Sequence, residues 1–301
     1  MEQKNIIIQR IKKLKKEKNA IVLVHNYQEP EIYDIADFVG DSLDLARKAT
    51  TVKEDVIIFC GVKFMAETAK ILNPDKKVIL PNLEATCSMA DMSNVEDLQK
   101  MKDEHPDAGV VCYINTNADV KAISNIVCTS ANAVKMVNAL PNDEIIFLPD
   151  IHLAEYVQTK TDKKIIPYQA YCYIHHAFNG EMLKDFKKLY PKAKVLAHPE
   201  SPMDVLKNSD FVRGTGGMIT AAKESDADEF IMVTECGMAE RLQREMPEKK
   251  FHSFCNICSY MKMTNLFLVE RALTKFEYEI NVPDDVAKRA KKAIDKMLEL
   301  S

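Results

Sequence analysis

Lys76-Lys77-Val78-Ile79-Leu80-Pro81-Asn82-Leu83-Glu84-Ala85-Thr86-Cys87 decides the fold of this chain, because its outline occurs three times. Lys163-Lys164-Ile165 leads to Cys172 and Lys249-Lys250-Phe251 leads to Cys258, so the three cysteines stand 85 and 86 residues apart. A fixed period of this kind signals a repeated supersecondary unit. Val24-His25-Asn26-Tyr27, Cys112-Tyr113-Ile114-Asn115 and Ala197-His198-Pro199-Glu200 follow one another at 88 and 85 residues. Gly40-Asp41-Ser42, Cys128-Thr129-Ser130 and Arg213-Gly214-Thr215 keep the same intervals, as do Met65-Ala66-Glu67, Leu153-Ala154-Glu155 and Met238-Ala239-Glu240. Triplication explains all of these at once. It divides the chain into units 1–92, 93–176 and 177–262, each ending just after one of the three cysteines, and a tail 263–301 that packs back on the body.

Each unit is small for independent stability, so the three are expected to pack on one another. With 47% apolar and 29% charged residues the chain has the composition of an ordinary globular protein. A net charge of −4 argues against nucleic acid as the main partner. The basic run Lys12-Lys13, Lys15-Lys16 and Lys18 lies beside Ile8, Ile11 and Leu14 at helical spacing, which makes it the solvated face of a helix. No apolar run approaches the roughly 20 residues of a membrane helix, and the N-terminus lacks a secretory pattern, so a cytoplasmic protein with no membrane partner is expected. Eight cysteines in a reducing compartment then point to core thiols or metal ligands instead of a disulfide framework. With only 8 glycines and no glycine-rich phosphate loop, nucleotide binding of that type is unsupported.

Apolar runs alternate with helical stretches along every unit. In the first, strands are predicted at Ile21–Val24, Phe38-Val39, Val56–Phe59 and Val78–Leu80, with helices over the N-terminus to Lys18, Glu31–Asp37, Ser42–Thr50 and Val62–Leu72. The second repeats this from the helix Val95–Glu104 through strands at Val110-Val111, Ile126-Val127, Ile145–Phe147 and Ile165-Ile166. The third repeats it from Met182–Leu189 through Val195-Leu196, Phe211-Val212, Phe230–Val233 and Phe251. Continuous apolar strands alternating with helices predict small parallel sheets covered on both faces. The fold class is therefore α/β, three α/β/α sandwich units in a pseudo-threefold triangle around a central site. In the tail, a helix from Thr264 to Lys275, a short strand Glu279–Val282 and a last helix capped by Asp284 are expected.

Ligands of parallel α/β units gather beyond the C-terminal ends of the strands. His25, Tyr113 and His198 sit there, with Tyr27, Asn115 and Glu200 two residues further on and therefore on the same side. Ser42, Ser130 and Thr215 each end a strand and open a helix. They are expected at the N-cap, where a hydroxyl and free amides also suit a carboxylate or phosphate. Glu67, Glu155 and Glu240 fall near helix starts and are expected to act on the helix dipole or in packing.

Cys87, Cys172 and Cys258 are too far apart for a zinc finger or a local cluster loop, but a threefold axis would bring three thiolates to one locus. Zinc with three thiolates and water is one occupant of such a locus. A 4Fe-4S cluster with one open iron suits it better, since that iron can act as a Lewis acid. Cys60, Cys112, Cys128 and Cys236 lie in or beside apolar strands and are expected in the core. Cys255-Asn256-Ile257-Cys258 reads either as a redox pair or as two ligands; the repeat register favours Cys258 as the ligand and leaves Cys255 as a bystander or a regulatory disulfide partner.

At these residues the chain resembles the quinolinate synthase family. The resemblance rests on His25-Asn26-Tyr27-Gln28, Gly40-Asp41-Ser42-Leu43 with Leu45-Ala46-Arg47, Ala85-Thr86-Cys87 with Met89-Ala90, and Tyr113-Ile114-Asn115. It continues through Cys128-Thr129-Ser130-Ala131-Asn132, Cys172-Tyr173-Ile174-His175, His198-Pro199-Glu200, Thr215-Gly216 and Cys258 with Met261-Lys262. It implies one 4Fe-4S cluster on Cys87, Cys172 and Cys258, and condensation of iminoaspartate with dihydroxyacetone phosphate to quinolinate in NAD biosynthesis. The iminoaspartate would come from an aspartate-oxidising enzyme. By position, the resemblance implies substrate contacts at His25, Ser42, Tyr113, Asn115, Ser130, His198, Glu200 and Thr215, with Tyr27 and His175 as further pocket residues. Gly214 departs from the family, where Ser is usual, and Ser88 stands where Pro is common.

The reaction moves protons near neutral pH, which makes Glu200 and His198 the expected acid-base pair with Tyr27 assisting. A hydro-lyase acting on a different acid would use the same open iron. A non-enzymatic metal-binding module would not need His25, Tyr27, His198 and Glu200 at the metal.

Overall fold

A computed structural model describes residues 2–301. Its strands are β1 (Ala20–His25), β2 (Phe38–Gly40), β3 (Val56–Cys60), β4 (Lys77–Ile79), β5 (Gly109–Tyr113), β6 (Ile126–Cys128), β7 (Glu144–Leu148), β8 (Lys164–Pro167), β9 (Lys194–Ala197), β10 (Phe211–Val212), β11 (Glu229–Val233) and β12 (Lys250–Ser253). They form three parallel sheets of identical order, β2-β1-β3-β4, β6-β5-β7-β8 and β10-β9-β11-β12. Every predicted strand of the three units is present, as expected where an apolar run is covered on both faces.

The period of two along each strand sorts the side chains into an inner and an outer core. Ile21, Leu23, Ile57 and Phe59 of the first sheet, Val111, Ile145 and Phe147 of the second, and Leu196, Phe230 and Met232 of the third share one central cluster. Their neighbours face outwards into three separate clusters: Val22 and Ile58, Val110 and Ile146, and Val195 and Ile231. His25, Tyr113 and His198 continue the inward parity past or at the strand ends. All three therefore point to the shared centre, for the same reason that the apolar side chains before them do.

The repeated lysine of the opening stretch is structural. Lys76 Nζ donates to the carbonyls of Val52 and Glu54 at 2.6 and 2.7 Å, Lys163 to those of Leu140 and Asn142, and Lys249 to those of Ala222 and Ser225 at 2.8 and 2.7 Å. In each unit the ammonium collects carbonyls left unpaired where a helix ends and the third strand begins, favourable in charge as well as in hydrogen bonding.

The first helix, Glu2–Glu17, buries Ile7, Ile8 and Ile11 against the outer face of the first sheet while Lys12, Lys13, Lys16 and Lys18 are exposed as expected; Lys15 is not, since it is half-buried and pairs with Asp37 at 2.7 Å. Helix Leu266–Lys275 shares that outer cluster through Leu266, Val269 and Leu273 and is tied to the first helix by Arg10 and Glu270 at 2.7 Å. The last helix, Asp284–Leu300, enters the central cluster through Ala290, Ala293, Ile294 and Met297. The tail thus covers one unit on the outside and helps to seal the inner core.

Two expectations for the tail fail. Glu279–Val282 is no strand: after Tyr278, which takes a left-handed backbone (φ 67°), it makes one antiparallel bridge, between Glu279 and Ile79, flanked by the bonds from Leu80 N–H to the Tyr278 carbonyl at 3.2 Å and from Ile280 N–H to the Val78 carbonyl at 2.8 Å. Asp284 does not cap the last helix. Pro283 holds the cap position without a side-chain bond, and Asp284 is the first helical residue, where its charge still suits the helix N-terminus.

Candidate active site

The three loops that carry the cysteines are fixed by one backbone bond, built three times. Lys63 N–H donates to the carbonyl of Ala85, Ile151 N–H to that of Ala170 and Cys236 N–H to that of Asn256, at 2.8, 2.8 and 3.1 Å. In every case the donor opens the helix after the third strand of its sheet, and the acceptor lies two residues before the cysteine. The loops therefore leave three equivalent strand ends at the same height. Cys87, Cys172 and Cys258 consequently line one cavity, together with His25, Tyr27, Ser42, Tyr113, Asn115, Ser130, His175, His198, Glu200 and Thr215. All thirteen residues singled out from the sequence meet there, and no lysine or arginine lines the cavity among the described residues.

His25 and His198 are held alike. The Nδ1 of His25 accepts the N–H of Tyr27 at 3.2 Å, and that of His198 accepts the N–H of Glu200 at 3.4 Å. Burial brings both imidazoles down to about 3, so both are neutral at pH 7. With Nδ1 occupied as an acceptor, the proton resides on Nε2, and each ring carries an N–H donor there.

Glu200 is buried at 3% exposure yet ionised. Burial pushes its carboxyl up, but the His198 and His175 rings and hydrogen bonds from His175 and Tyr113 outweigh it and hold it at about 2. Tyr113 Oη donates to Oε1 at 2.5 Å, and His175 Nδ1 stands 2.6 Å from Oε2. The phenols of Tyr27 and Tyr113 are pushed well above their ordinary value by burial and stay protonated. Tyr27 Oη lies 2.7 Å from Thr234 Oγ1, which is 3.0 Å from His175 Nε2.

At the hydroxyl end, Ser42 and Thr215 are the first residues of their helices, not the caps, which are Asp41 and Gly214. Ser130 lies in the turn before the cap Asn132. The expected N-cap role is therefore wrong by one or two residues. Asp41 accepts the Leu43 and Asp44 amides at 2.9 Å in place of Ser42, which leaves the serine hydroxyl uncommitted. Thr215 Oγ1 accepts from Asn26 Nδ2 at 2.8 Å, and Asn26 Oδ1 in turn accepts from Arg241. A Cβ at Gly214 would approach Ser130 Oγ to 2.6 Å, so in this chain the serine hydroxyl takes the space a side chain at 214 would need. Asn115 Oδ1 is buried and unpartnered.

Burial raises the thiols of Cys87, to about 12, and of Cys172 and Cys258. Buried thiols of this kind suit soft metal coordination, in which the metal displaces the proton. Donor atoms of Cys172, His175 and Glu200 also lie within 4.8 Å of one another, close enough to hold a metal ion. Cys60, Cys112 and Cys128 are buried free thiols as expected, whereas Cys236 is not: it forms a disulfide with Cys255, 19 residues on. The loop bond from Cys236 to Asn256 brings the two side chains together, and a pairing of that separation has no sequence motif. Cys258 is free, so the Cys255–Cys258 redox pair is not formed.

Sequence reading also missed four buried residues: Glu235 in the cavity wall, and Asn26, Asp150 and Thr234 behind it. Asn26 and Thr234 orient pocket groups, and Asp150 and Glu235 hold the cysteine loops. Asp150 and Glu235 are 85 residues apart, the repeat interval, which was a signal available in the sequence.

Three parallel sheets whose strand ends meet at one cavity, lined by an ionised carboxylate, neutral imidazoles and three thiols, define an α/β enzyme with a central active site. Residues 9–299 match the profile of the quinolinate synthetase A protein family. The quinolinate synthase of Methanosarcina barkeri is 50% identical over 97% of both chains, that of Thermococcus onnurineus 50% over 98% of both, and that of Pyrococcus furiosus 48% over the full length of both. The chain belongs to the quinolinate synthase family.

Proposed function

We propose that this enzyme condenses iminoaspartate with dihydroxyacetone phosphate to quinolinate, releasing phosphate and water, in NAD biosynthesis. The observation that carries the reading is the meeting of all thirteen sequence-selected residues on one cavity with the three thiols. Cys87, Cys172 and Cys258 would hold a 4Fe-4S cluster. When bound, it supplies a Lewis-acidic iron for a hydroxyl or carboxylate of the substrate.

The protein's own groups divide the remaining work. A cavity without lysine or arginine binds carboxylate and phosphate through hydroxyls and a helix N-terminus. Ser42, Ser130 and Thr215 supply the former, and helix Thr215–Glu224, whose cap Gly214 makes no side-chain bond, the latter. Asn115 offers its unpartnered oxygen to a substrate hydroxyl or imine N–H. Neutral His25 and His198 present Nε2–H donors suited to a carbonyl oxygen, which polarises the ketone without a buried positive charge. Glu200, the ionised carboxylate, is the proton acceptor. Tyr113 and His175 hold its two oxygens, and Tyr27 returns protons through its hydroxyl. Within this reading 1–92, 93–176 and 177–262 are the three structural units, iminoaspartate comes from an aspartate-oxidising enzyme, and the reaction runs in the cytoplasm.

Protein purified and reconstituted without oxygen should form quinolinate only when both substrates are supplied. Product from either substrate alone, or none with a full complement of iron and sulfide, would refute the reaction.

A further inference from the structure

Each of the two later cysteine loops is held by a contact that the first lacks. Asp150 accepts the Leu153 N–H through Oδ1 at 2.6 Å and the Cys172 N–H through Oδ2 at 3.1 Å. Glu235 accepts the Gly237 N–H through Oε2 at 2.8 Å and the Cys258 N–H through Oε1 at 3.2 Å. The two residues occupy the same place in successive units, at the N-cap of the helix after the third strand, and both are buried to within 1%. The corresponding residue of the first unit is Val62, an N-cap without a side-chain bond.

We infer that Asp150 and Glu235 are positioning residues for two of the three cysteines: one carboxylate oxygen caps a helix and the other holds the backbone N–H of Cys172 or Cys258. Capping alone needs a single acceptor, and serine, threonine or asparagine provides it. A carboxylate buried at the cavity wall, where ionisation is costly, is explained by the second oxygen. Turning the cysteine amide onto the carboxylate fixes the direction in which Cα–Cβ leaves the backbone, and so the place of the sulfur. It also withholds that N–H from the sulfur, and hydrogen bonds to ligand sulfur are among the levers that set cluster potential. The three ligands are thereby made unequal. Cys258 is backed by a carboxylate that Lys262 approaches to 3.3 Å, Cys172 by one with no lysine or arginine paired to it, and Cys87 by none.

This inference rests on the cluster assignment proposed above, and its test separates the two. Asp150→Asn and Glu235→Gln each keep a carbonyl oxygen for the helix amide and turn an NH₂ group towards the cysteine, so the cap survives and the clamp does not. Asn94→Ala is the control, since Asn94 caps helix Val95–Glu104 by accepting the Asp97 N–H at 2.8 Å and touches no cysteine. After anaerobic reconstitution, both clamp variants should lose their visible cluster absorbance to a chelator about tenfold faster than wild type, and their midpoint potentials should shift. Asn94→Ala should match wild type in both respects. Amide hydrogen exchange of the apo-protein gives a reading that needs no cluster: the Cys172 N–H should be protected in wild type and lose protection in Asp150→Asn. Wild type that takes up no iron and sulfide while keeping this contrast would sink the cluster assignment and uphold the clamp. Cluster loss and exchange equal to wild type would overturn the clamp, and so would apo-proteins of both variants that fail to fold, since the carboxylates would then serve the fold as a whole.

Discussion

The strand-end phrases His25-Asn26-Tyr27 and His198-Pro199-Glu200 occupy equivalent places in the first and third units, and their histidines are held by the same bond from the amide two residues on. Their electrostatics nevertheless differ. In the first phrase burial leaves everything neutral: His25 falls to about 3 and Tyr27 rises. In the third, burial likewise brings His198 to about 3, but Glu200 stays charged, lowered by the His198 and His175 rings and by the contacts of Tyr113 and His175 with its two oxygens. A repeated backbone thus delivers side chains to one point, and the partners brought by the other units decide which of them carries charge. Between the two phrases, the charge falls on Glu200, whose oxygens are held from the second unit.

The largest test of this contrast removes the charge. Glu200→Gln should lower turnover by about a thousandfold with cluster absorbance intact, whereas Tyr27→Phe should lower it by about tenfold to a hundredfold. Equal losses in steady-state assays would abolish the distinction between the two phrases. Removing the support comes next. Tyr113→Phe deletes a donor to the ionised form of Glu200, so its pKa rises and the acid limb of the kcat/KM profile should move to higher pH. An unmoved limb would mean that the 2.5 Å bond does not set the charge state.

Stability should report the two neutral histidines. Below about pH 6.5 the unfolded chain protonates imidazoles that the folded protein keeps neutral down to about 3, so unfolding takes up protons and stability falls as pH drops through that window. Glu200 adds to the loss lower down, between its ordinary 4.5 and about 2. In the apo-protein, His25→Gln should flatten the fall of melting temperature between about pH 6 and pH 4. Melting curves parallel to wild type across that range would show that His25 is not held neutral. The smallest effect concerns the link between the phrases. Thr234→Val deletes the hydroxyl between Tyr27 and His175 and should destabilise the protein by about 1–2 kcal/mol in denaturant titrations, with a loss of turnover of only a few fold. A loss as large as that of Glu200→Gln would make Thr234 part of the proton path.

What the sequence made legible follows from what repetition preserves. The strands were readable because runs such as Ile21–Val24 and Phe230–Val233 are apolar on both faces. The cavity was readable because residues at equal intervals must occupy equal places around a shared centre. What escaped depends on single interactions without a period. The tail meets the sheet edge in a single bridge at Glu279 in place of a strand, and Pro283 takes the cap position expected for Asp284. Asp41 caps the helix credited to Ser42, and the Cys236–Cys255 bond joins residues with no motif between them. Asp150 and Glu235 lie in between: they obey the period, but they act on backbone amides, which a search for chemically reactive side chains passes over.

The central claim, that cysteines 85 and 86 residues apart serve one metal centre, is tested most directly by anaerobic iron and sulfide analysis of wild type beside Cys87→Ser, Cys172→Ser, Cys258→Ser and Cys255→Ser. The account predicts about four irons and four sulfides per chain in wild type and in Cys255→Ser, with the cluster lost from each of the other three. A full complement in any one of Cys87→Ser, Cys172→Ser or Cys258→Ser, or its loss in Cys255→Ser alone, would contradict it.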